Sequence, residues 1–246
     1  MCAEWQRPKE IPFPNVWRRF EGKKLINGAP RKYWVQDISD DQMDDVIEIM
    51  CNKFTKDEAL CKYLKLTEDP AAVEEFAKVW RKYAKQRLGL ICLTKNENGE
   101  TEIVGVNMTA RNYKGEQPDY SQIKTEKIKF VMAWLDYIYQ RVDIYEKFNI
   151  DDHLTALGLY VDPKFRGDGV GVEILKTRRE LCKAVGIKAT FTLFTSNRSQ
   201  AVARKAGFQD VVNVTFEELE KHDPKLVLPG ITEVSDSQRY MYILYD

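Results

Sequence analysis

The chain has 246 residues, 43% of them hydrophobic and 31% charged, the make-up of a globular protein with a sizeable core. Its 38 Lys and Arg are matched by 38 Asp and Glu, and a net charge of +0 argues against a nucleic-acid binder that works by phosphate neutralisation. The 5 cysteines (Cys2, Cys51, Cys61, Cys92 and Cys182) are odd in number, form no C-x-x-C and have only 2 histidines beside them. That weighs against a disulfide framework or zinc site and reads as reduced, mostly buried thiols in the cytosol.

The opening "MCAEWQRPKEIPFPNVW" carries charges and prolines where a secretory signal has an apolar run. No stretch approaches the roughly 18 apolar residues of a membrane span. A cytoplasmic protein without nucleic-acid or membrane partners is expected. The basic stretch Arg18, Arg19, Lys23, Lys24, Arg31 and Lys32 reads as a solvated N-terminal segment. Residues 1–30 are accordingly taken as an extension packed on one domain of residues 31–246.

"RKYWVQDI" (Arg31 to Ile38) predicts a first strand. Ser39 offers an N-cap, with Gln42 placed to close a capping box. Met43, Val46, Ile47, Met50 and Phe54 follow at helical spacing. "DPAAVEEFAKVWRKYAKQ" predicts a second helix, with Pro70 at its start and Val73, Phe76, Val79, Trp80 and Tyr83 on one side. "LGLICLT" and "TEIVGVNMTAR" predict a hairpin around the turn "NENG".

A long helical region is predicted from about Ser121 to Phe148. It has one stripe of Ile128, Val131, Leu135, Ile138 and Val142 and another of Phe130, Trp134 and Tyr137, so it packs on two sides. "LTALGLYV" (Leu154 to Val161) is apolar on both faces and predicts a central strand. A glycine loop, the helix "VEILKTRRELCKAV", the strand "KATFTLF", a short helix ending at "KAGF" and a final strand "YMYILYD" complete the order. The pattern β-α-α-β-β-α-β-α-β-α-β is a mixed α/β sheet in one domain.

Arg166–Asp168 spells R-G-D, an adhesion tripeptide with no integrin to meet in the cytosol. The wider run "VDPKFRGDGVG" suggests a different use. Gly167, Gly169 and Gly171 let the backbone approach closely and take positive φ, and a helix starting near Val172 adds free N–H groups and its dipole. Such a cradle binds phosphate; the alternative is a glycine-rich turn with no ligand. Neither G-x-G-x-x-G nor G-x-x-x-x-G-K-[ST] is met.

"LGLYVDPKFRGDGVG" resembles motif A of the GNAT superfamily of N-acetyltransferases, R/Q-x-x-G-x-G/A after a central strand, with Arg166, Gly169 and Gly171 at the defining positions. The order of elements is similar from about Lys32 onward. The resemblance implies a GNAT fold with a long helical insertion between its third and fourth strands. It implies acetyl-CoA as co-substrate and no metal, the pyrophosphate on Arg166, Gly167, Asp168, Gly169, Val170 and Gly171. The pantetheine would pair with the splayed strand end Leu159, Tyr160 and Val161.

"FTKDEALCKYL" (Phe54 to Leu64) resembles the F-x-K-D-E-P-L stretch of insect arylalkylamine N-acetyltransferases. That likeness implies Glu58 as general base, with Ala59 standing where the family has proline. "FTSNRSQAVARKAGF" (Phe194 to Phe208) is similar to the same family's C-S-x-x-x-S…K-L-G-F stretch, which puts Ser199 on its second catalytic-site serine and Thr195 on its first. Many members of the superfamily carry a general-acid tyrosine four residues before the G-F glycine. Ala203 stands there, so Ser199, directly or through water, is the substitute.

Bland uses stand beside these. Asp57 and Glu58 after a helix are ordinarily solvated, Ser199 would cap a short helix, and Thr195 would end a strand. His153 could relay a proton or be structural. His222 reads as loop surface. Trp134 and Tyr137 could wall an aromatic pocket or pack the core. The resulting expectation is a monomer that acetylates a small arylalkylamine. The alternatives are the same chemistry on polyamines or agmatine, a protein lysine acetyltransferase, against which the insertion argues, and a CoA-binding protein without catalysis.

Overall fold

Two antiparallel strands open the fold, β1 (Val16–Ile26) and β2 (Ala29–Asp37). In the computed structural model, which describes residues 5–26, 28–116 and 123–245, the basic stretch lies on these strands, with Arg19, Lys23, Lys24 and Lys32 exposed and Arg18 and Arg31 half-buried. Arg18 pairs with Glu173 at 2.9 Å and also with Glu180, and Arg31 lies 5.0 Å over the Phe165 ring. Gln42 Oε1 accepts from the Ser39 hydroxyl at 2.8 Å and from its N–H at 3.3 Å, which starts the 3₁₀ turn Asp40–Gln42 that leads into α1 (Met43–Ile49).

The predicted helix continues through a π turn, Met50–Phe54, in which the Thr55 N–H reaches back to the Met50 carbonyl. The wider turn buries both Met50 and Phe54. α2 (Thr55–Asp57) and α3 (Ala59–Tyr63) follow, separated by Glu58 in extended conformation. α4 (Pro70–Ala84) is capped by Asp69, whose carboxylate accepts from the Ala72 N–H, with proline at its start. The predicted hairpin forms as β3 (Leu90–Lys95) and β4 (Thr101–Tyr113).

The predicted helical region of residues 121–148 divides in two, α5 (Glu126–Tyr139) and α6 (Ile144–Phe148); Ser121 and Gln122 lie outside the described residues. Asp143 starts the second helix by accepting from the Tyr145 and Glu146 N–H groups. β5 (Asp152–Val161), α7 (Val170–Val185), β6 (Ala189–Phe194) and α8 (Asn197–Lys205) follow, then β7 (Gln209–Thr215), α9 (Phe216–His222) and β8 (Ser237–Leu244).

The strands form one mixed sheet in the order β1-β2-β3-β4-β5-β6-β8-β7. Neighbours from β1 to β5 are antiparallel, whereas β5 and β6 are parallel and in register only at Leu154↔Thr190. Beyond that pair the two strands part. β1 and β7 were not anticipated from sequence. Both are edge strands, and their charged and polar residues hide the apolar alternation that marks inner strands.

Both faces of the sheet are covered. On β3, Ile91 and Leu93 pack in one cluster with Met50, Phe54 and Trp80, while Leu90 and Cys92 pack in another with Ile174 and Leu181 of α7. A third cluster holds Val131, Trp134 and Ile138 of α5 with Phe191, Phe216 and Tyr240.

Candidate active site

The register of β4 against β5 slips between Met108↔Gly158 and Thr109↔Ala156, so Leu157 is an extra, bulged residue. A bulge reverses the facing of everything after it. Leu154 packs against α7; two-residue alternation would put Tyr160 there too, yet it packs in the opposite cluster with Met50 and Trp80. Leu159 and Val161 take the α7 side. Gly158 has φ +136, and a Cβ on it would lie 2.6 Å from Met50 Cε and 2.9 Å from Phe54 Cζ. Only glycine passes the π turn here.

Both carbonyls of the bulge are tied by side chains. Trp80 Nε1 donates to the Leu157 carbonyl at 2.8 Å, and Asn107 Nδ2 donates to the Gly158 carbonyl at 2.8 Å. Asn107 is itself held by Arg178 Nε at 3.0 Å. Arg178 is fully buried, and its Nη1 donates to the hydroxyls of Thr190 and Thr192 at 3.1 and 2.7 Å. Burial pushes its guanidinium down to about 10, so it stays charged at neutral pH. Its Nη2 has no partner among the described residues. Arg178 was not among the residues singled out from sequence. Its signal is positional: a cation four residues after Ile174 and three before Leu181 sits on the apolar stripe of its helix.

After Val161 the chain makes a 3₁₀ turn, Pro163–Phe165, and then the glycine loop. Gly167 and Gly169 have φ +84 and +93, as predicted for a cradle. Gly171 does not: α7 begins at Val170, not near Val172, and Gly171 is helical. Its missing Cβ instead gives clearance, since one would lie 3.3 Å from Val202 and 3.6 Å from Val161. Arg166 folds back, donating from Nε to the Val161 carbonyl at 2.8 Å and from Nη2 to Asp57 at 2.5 Å. Asp168 is 3% exposed and turns towards β1 and β2, where it accepts from the Lys24 N–H at 2.7 Å and the Tyr33 hydroxyl at 2.5 Å.

Glu58 caps α3, its Oε2 accepting from the Cys61 N–H at 2.8 Å, and its Oε1 accepts from the Thr195 hydroxyl at the end of β6. The structure thus joins two of the three predicted catalytic side chains across 137 residues of sequence. The adjacent carboxylate, Asp57, goes to Arg166. Ser199 lies in the first turn of α8 and exchanges cap bonds with Ser196 at 3.2 Å each way; its hydroxyl also donates to the Ser196 carbonyl at 2.9 Å. Ala203, at the missing tyrosine, is fully buried against Leu175, Phe194 and Phe208.

Burial, followed by the charge of Glu58, pushes the Cys61 thiol well above its ordinary range, and burial likewise raises Cys51, Cys92 and Cys182. None of the described cysteines is a thiolate at neutral pH; Cys2 lies outside the described residues. His153 is 3% exposed between the rings of Tyr145 and Phe191, and burial lowers it to about 4, so it is a neutral core residue. His222 ends α9 and its ring lies 4.2 Å from that of Tyr137. Trp134 is fully buried in the core. Among the described residues no helix is long and apolar enough to cross a membrane, and no group of three His, Cys, Asp or Glu could hold a metal ion.

Residues 43–208 match the profile of the acetyltransferase (GNAT) family. Along 99% of its length the chain is 34% identical to a crystal structure provisionally assigned as arylalkylamine N-acetyltransferase 7 of the yellow fever mosquito Aedes aegypti, all of which is covered, with a TM-score of 0.90. Arylalkylamine N-acetyltransferase 2 of Aedes aegypti is similar in fold over 87% of this chain and 99% of its own, at 21% identity and a TM-score of 0.74. So is the Drosophila melanogaster polyamine N-acetyltransferase that forms N-acetylagmatine, over 86% of this chain and 99% of its own, at 12% identity and a TM-score of 0.64.

Proposed function

The chain belongs to the GNAT family of acetyltransferases, and from that premise we propose that it transfers an acetyl group from acetyl-CoA to the primary amine of a small arylalkylamine of the dopamine, serotonin, octopamine or tryptamine type. The observation that carries the proposal is the junction of Glu58 with Thr195, a carboxylate and a hydroxyl brought together from distant parts of the chain. The full-length likeness to the mosquito protein supports the substrate class.

The residues fit such a donor. Gly167 and Gly169 open a backbone cradle ahead of α7, and the parting of β5 and β6 leaves room beside Leu159, Tyr160 and Val161 for an extended chain. When bound there, acetyl-CoA supplies an activated thioester. An amine with a pKa near ~10.4 is almost wholly protonated at neutral pH, and freeing it costs roughly 4–5 kcal/mol. Glu58 accepts that proton, directly or through water, as general base. Backbone N–H groups near Val161 hold the carbonyl oxygen as it gains charge. The departing thiolate, near ~8.5, needs a proton less urgently. Thr195, whose hydroxyl already donates to Glu58, and Ser199 are the hydroxyls assigned to its return. Direct attack of the amine on the thioester is the reading adopted, and the burial that raises the thiols of Cys51, Cys61, Cys92 and Cys182 weighs against an acyl-enzyme on any of them.

The alternative substrates, agmatine and polyamines, carry a second cation that needs a second carboxylate. Asp57 is the nearest in sequence to Glu58, and Arg166 occupies it at 2.5 Å, which favours the aromatic amine. A cytoplasmic monomer is the accompanying reading. The test is thiol release from acetyl-CoA with a panel of dopamine, serotonin, tryptamine, agmatine, spermidine and a lysine peptide. Release with the aromatic amines is expected. Release only with agmatine or spermidine would overturn the substrate class. CoA binding without release for any amine would leave a CoA-binding protein.

A further inference from the structure

Resting on acetyl-CoA as the donor, we propose that Lys23 and Lys24 of the N-terminal edge strand bind phosphate groups at the nucleotide end of that donor, which makes β1 a wall of the donor site. The strand is shaped for this. Its register with β2 breaks between Glu21 and Leu25, which releases Gly22, Lys23 and Lys24 from regular pairing. The released stretch is latched to the glycine loop. Asp168 accepts from the Lys24 N–H at 2.7 Å and from the Tyr33 hydroxyl of β2 at 2.5 Å.

Gly22 permits the latch: a Cβ there would lie 2.3 Å from Asp168 Oδ2. Lys24 Nζ donates to the Arg166 carbonyl at 2.8 Å, and Lys24 Cε lies 3.5 Å from where a Cβ of Gly167 would stand. Lys23 Cε lies 3.5 Å from the corresponding point on Gly169. The two glycines with positive φ are therefore flanked by the two lysine stems.

The charge balance at the loop singles out these side chains. Arg166 is neutralised by Asp57. Asp168 has turned both carboxylate oxygens into its latch, where they accept from the Lys24 N–H and the Tyr33 hydroxyl, and it forms no ion pair with the Lys23 or Lys24 ammonium group among the described residues. Lys23 and Lys24 have no carboxylate partner among the described residues. A loop with two exposed, uncompensated ammonium groups beside its backbone suits a polyanion. The donor offers two such chemistries, a pyrophosphate diester and a ribose 3′-phosphate monoester.

Calorimetric titration of CoA, dephospho-CoA and pantetheine into wild type and the double variant Lys23→Gln/Lys24→Gln separates them. The variant is expected to bind CoA about tenfold or more weakly and pantetheine unchanged, with the CoA defect shrinking as salt rises. Lys23→Arg/Lys24→Arg should restore CoA binding. A defect that persists with dephospho-CoA locates the contact at the pyrophosphate, and one that disappears locates it at the 3′-phosphate. Equal weakening of all three ligands, or of none, overturns the proposal. Wild type that binds none of them overturns the acetyl-CoA reading itself. Wild type that binds CoA but releases no thiol with any amine overturns only the catalytic assignment.

Discussion

Replacing Glu58 by glutamine removes the base and keeps the contacts. Glu58 uses its two oxygens separately, one for the Cys61 N–H and one for the Thr195 hydroxyl. In Glu58→Gln the amide oxygen retains the cap, and the amide NH₂ meets a hydroxyl that can turn to accept. Loss of a cap typically costs about 1 kcal/mol, or roughly 2–4 °C in Tm for a chain of this size. A general base contributes about 10²–10⁴ in rate. At pH 7 roughly 1 in 2,500 molecules of an amine with pKa ~10.4 is free. Without its base, the enzyme depends on that fraction, so kcat/KM of the variant should rise about tenfold per pH unit between pH 7 and 9. Thiol-release assays across that range, with a melt at each pH, measure both quantities. Asp57→Asn is the control: it frees Arg166 and leaves the pH profile as in wild type. A Glu58→Gln protein keeping more than about a tenth of kcat, against the 10²–10⁴ expected, would refute the assignment.

Three further substitutions separate chemistry from support. Ser199→Ala removes reciprocal cap bonds of α8 and should cost about 1 kcal/mol of stability; an unchanged kcat alongside that loss takes Ser199 out of the proton path. Gly158→Ala combines a φ of +136 with a Cβ 2.6 Å from Met50, so a loss of about 3 kcal/mol, or roughly 6–12 °C in Tm, is expected; a melt matching wild type would mean that the bulge is not held against the π turn. His153 has a folded pKa of about 4 against 6.5 when unfolded. Between those values only the unfolded chain binds the proton, so stability rises with pH through the window and is lost as pH falls. The interval is worth about 3 kcal/mol at 1.36 kcal/mol per pH unit. His153→Phe should flatten urea-derived stability between pH 4.5 and 7, and an unchanged slope would place the acid lability elsewhere.

The fold was legible wherever an element buries one clean face. β2, β3, β4, β5 and the helix before the π turn follow from apolar spacing because each packs against a covering layer. β1 and β7 did not, because the sheet edges leave them partly in water and their charges mask the period. The break between α5 and α6 was also invisible. It depends on Asp143 finding two N–H groups, a local hydrogen-bond choice that hydrophobic spacing does not encode.

At the site, sequence located the backbone better than the side chains. Spacing marked the glycine loop, and two of its three glycines have the expected positive φ. What spacing cannot say is which way adjacent polar groups turn. Asp57 and Glu58 are neighbours of one chemistry, yet the extended backbone at Glu58 sends one to Arg166 and the other to Thr195. Asp168 shows the same limit more sharply. An acidic residue between two glycines of a phosphate cradle looks repulsive on paper. Its carboxylate is instead drawn out of the loop by Tyr33 and the Lys24 N–H, groups lying more than 130 residues away in sequence. The desolvation of that buried carboxylate is offset only if both donors reach it, so the loop depends on an edge strand that its motif does not mention. Removing the Tyr33 hydroxyl should therefore loosen Lys23 and Lys24 as well as Asp168. Tyr33→Phe is expected to weaken CoA binding while leaving pantetheine binding intact, and weakening of both alike would mean that the tyrosine supports the core and not the latch.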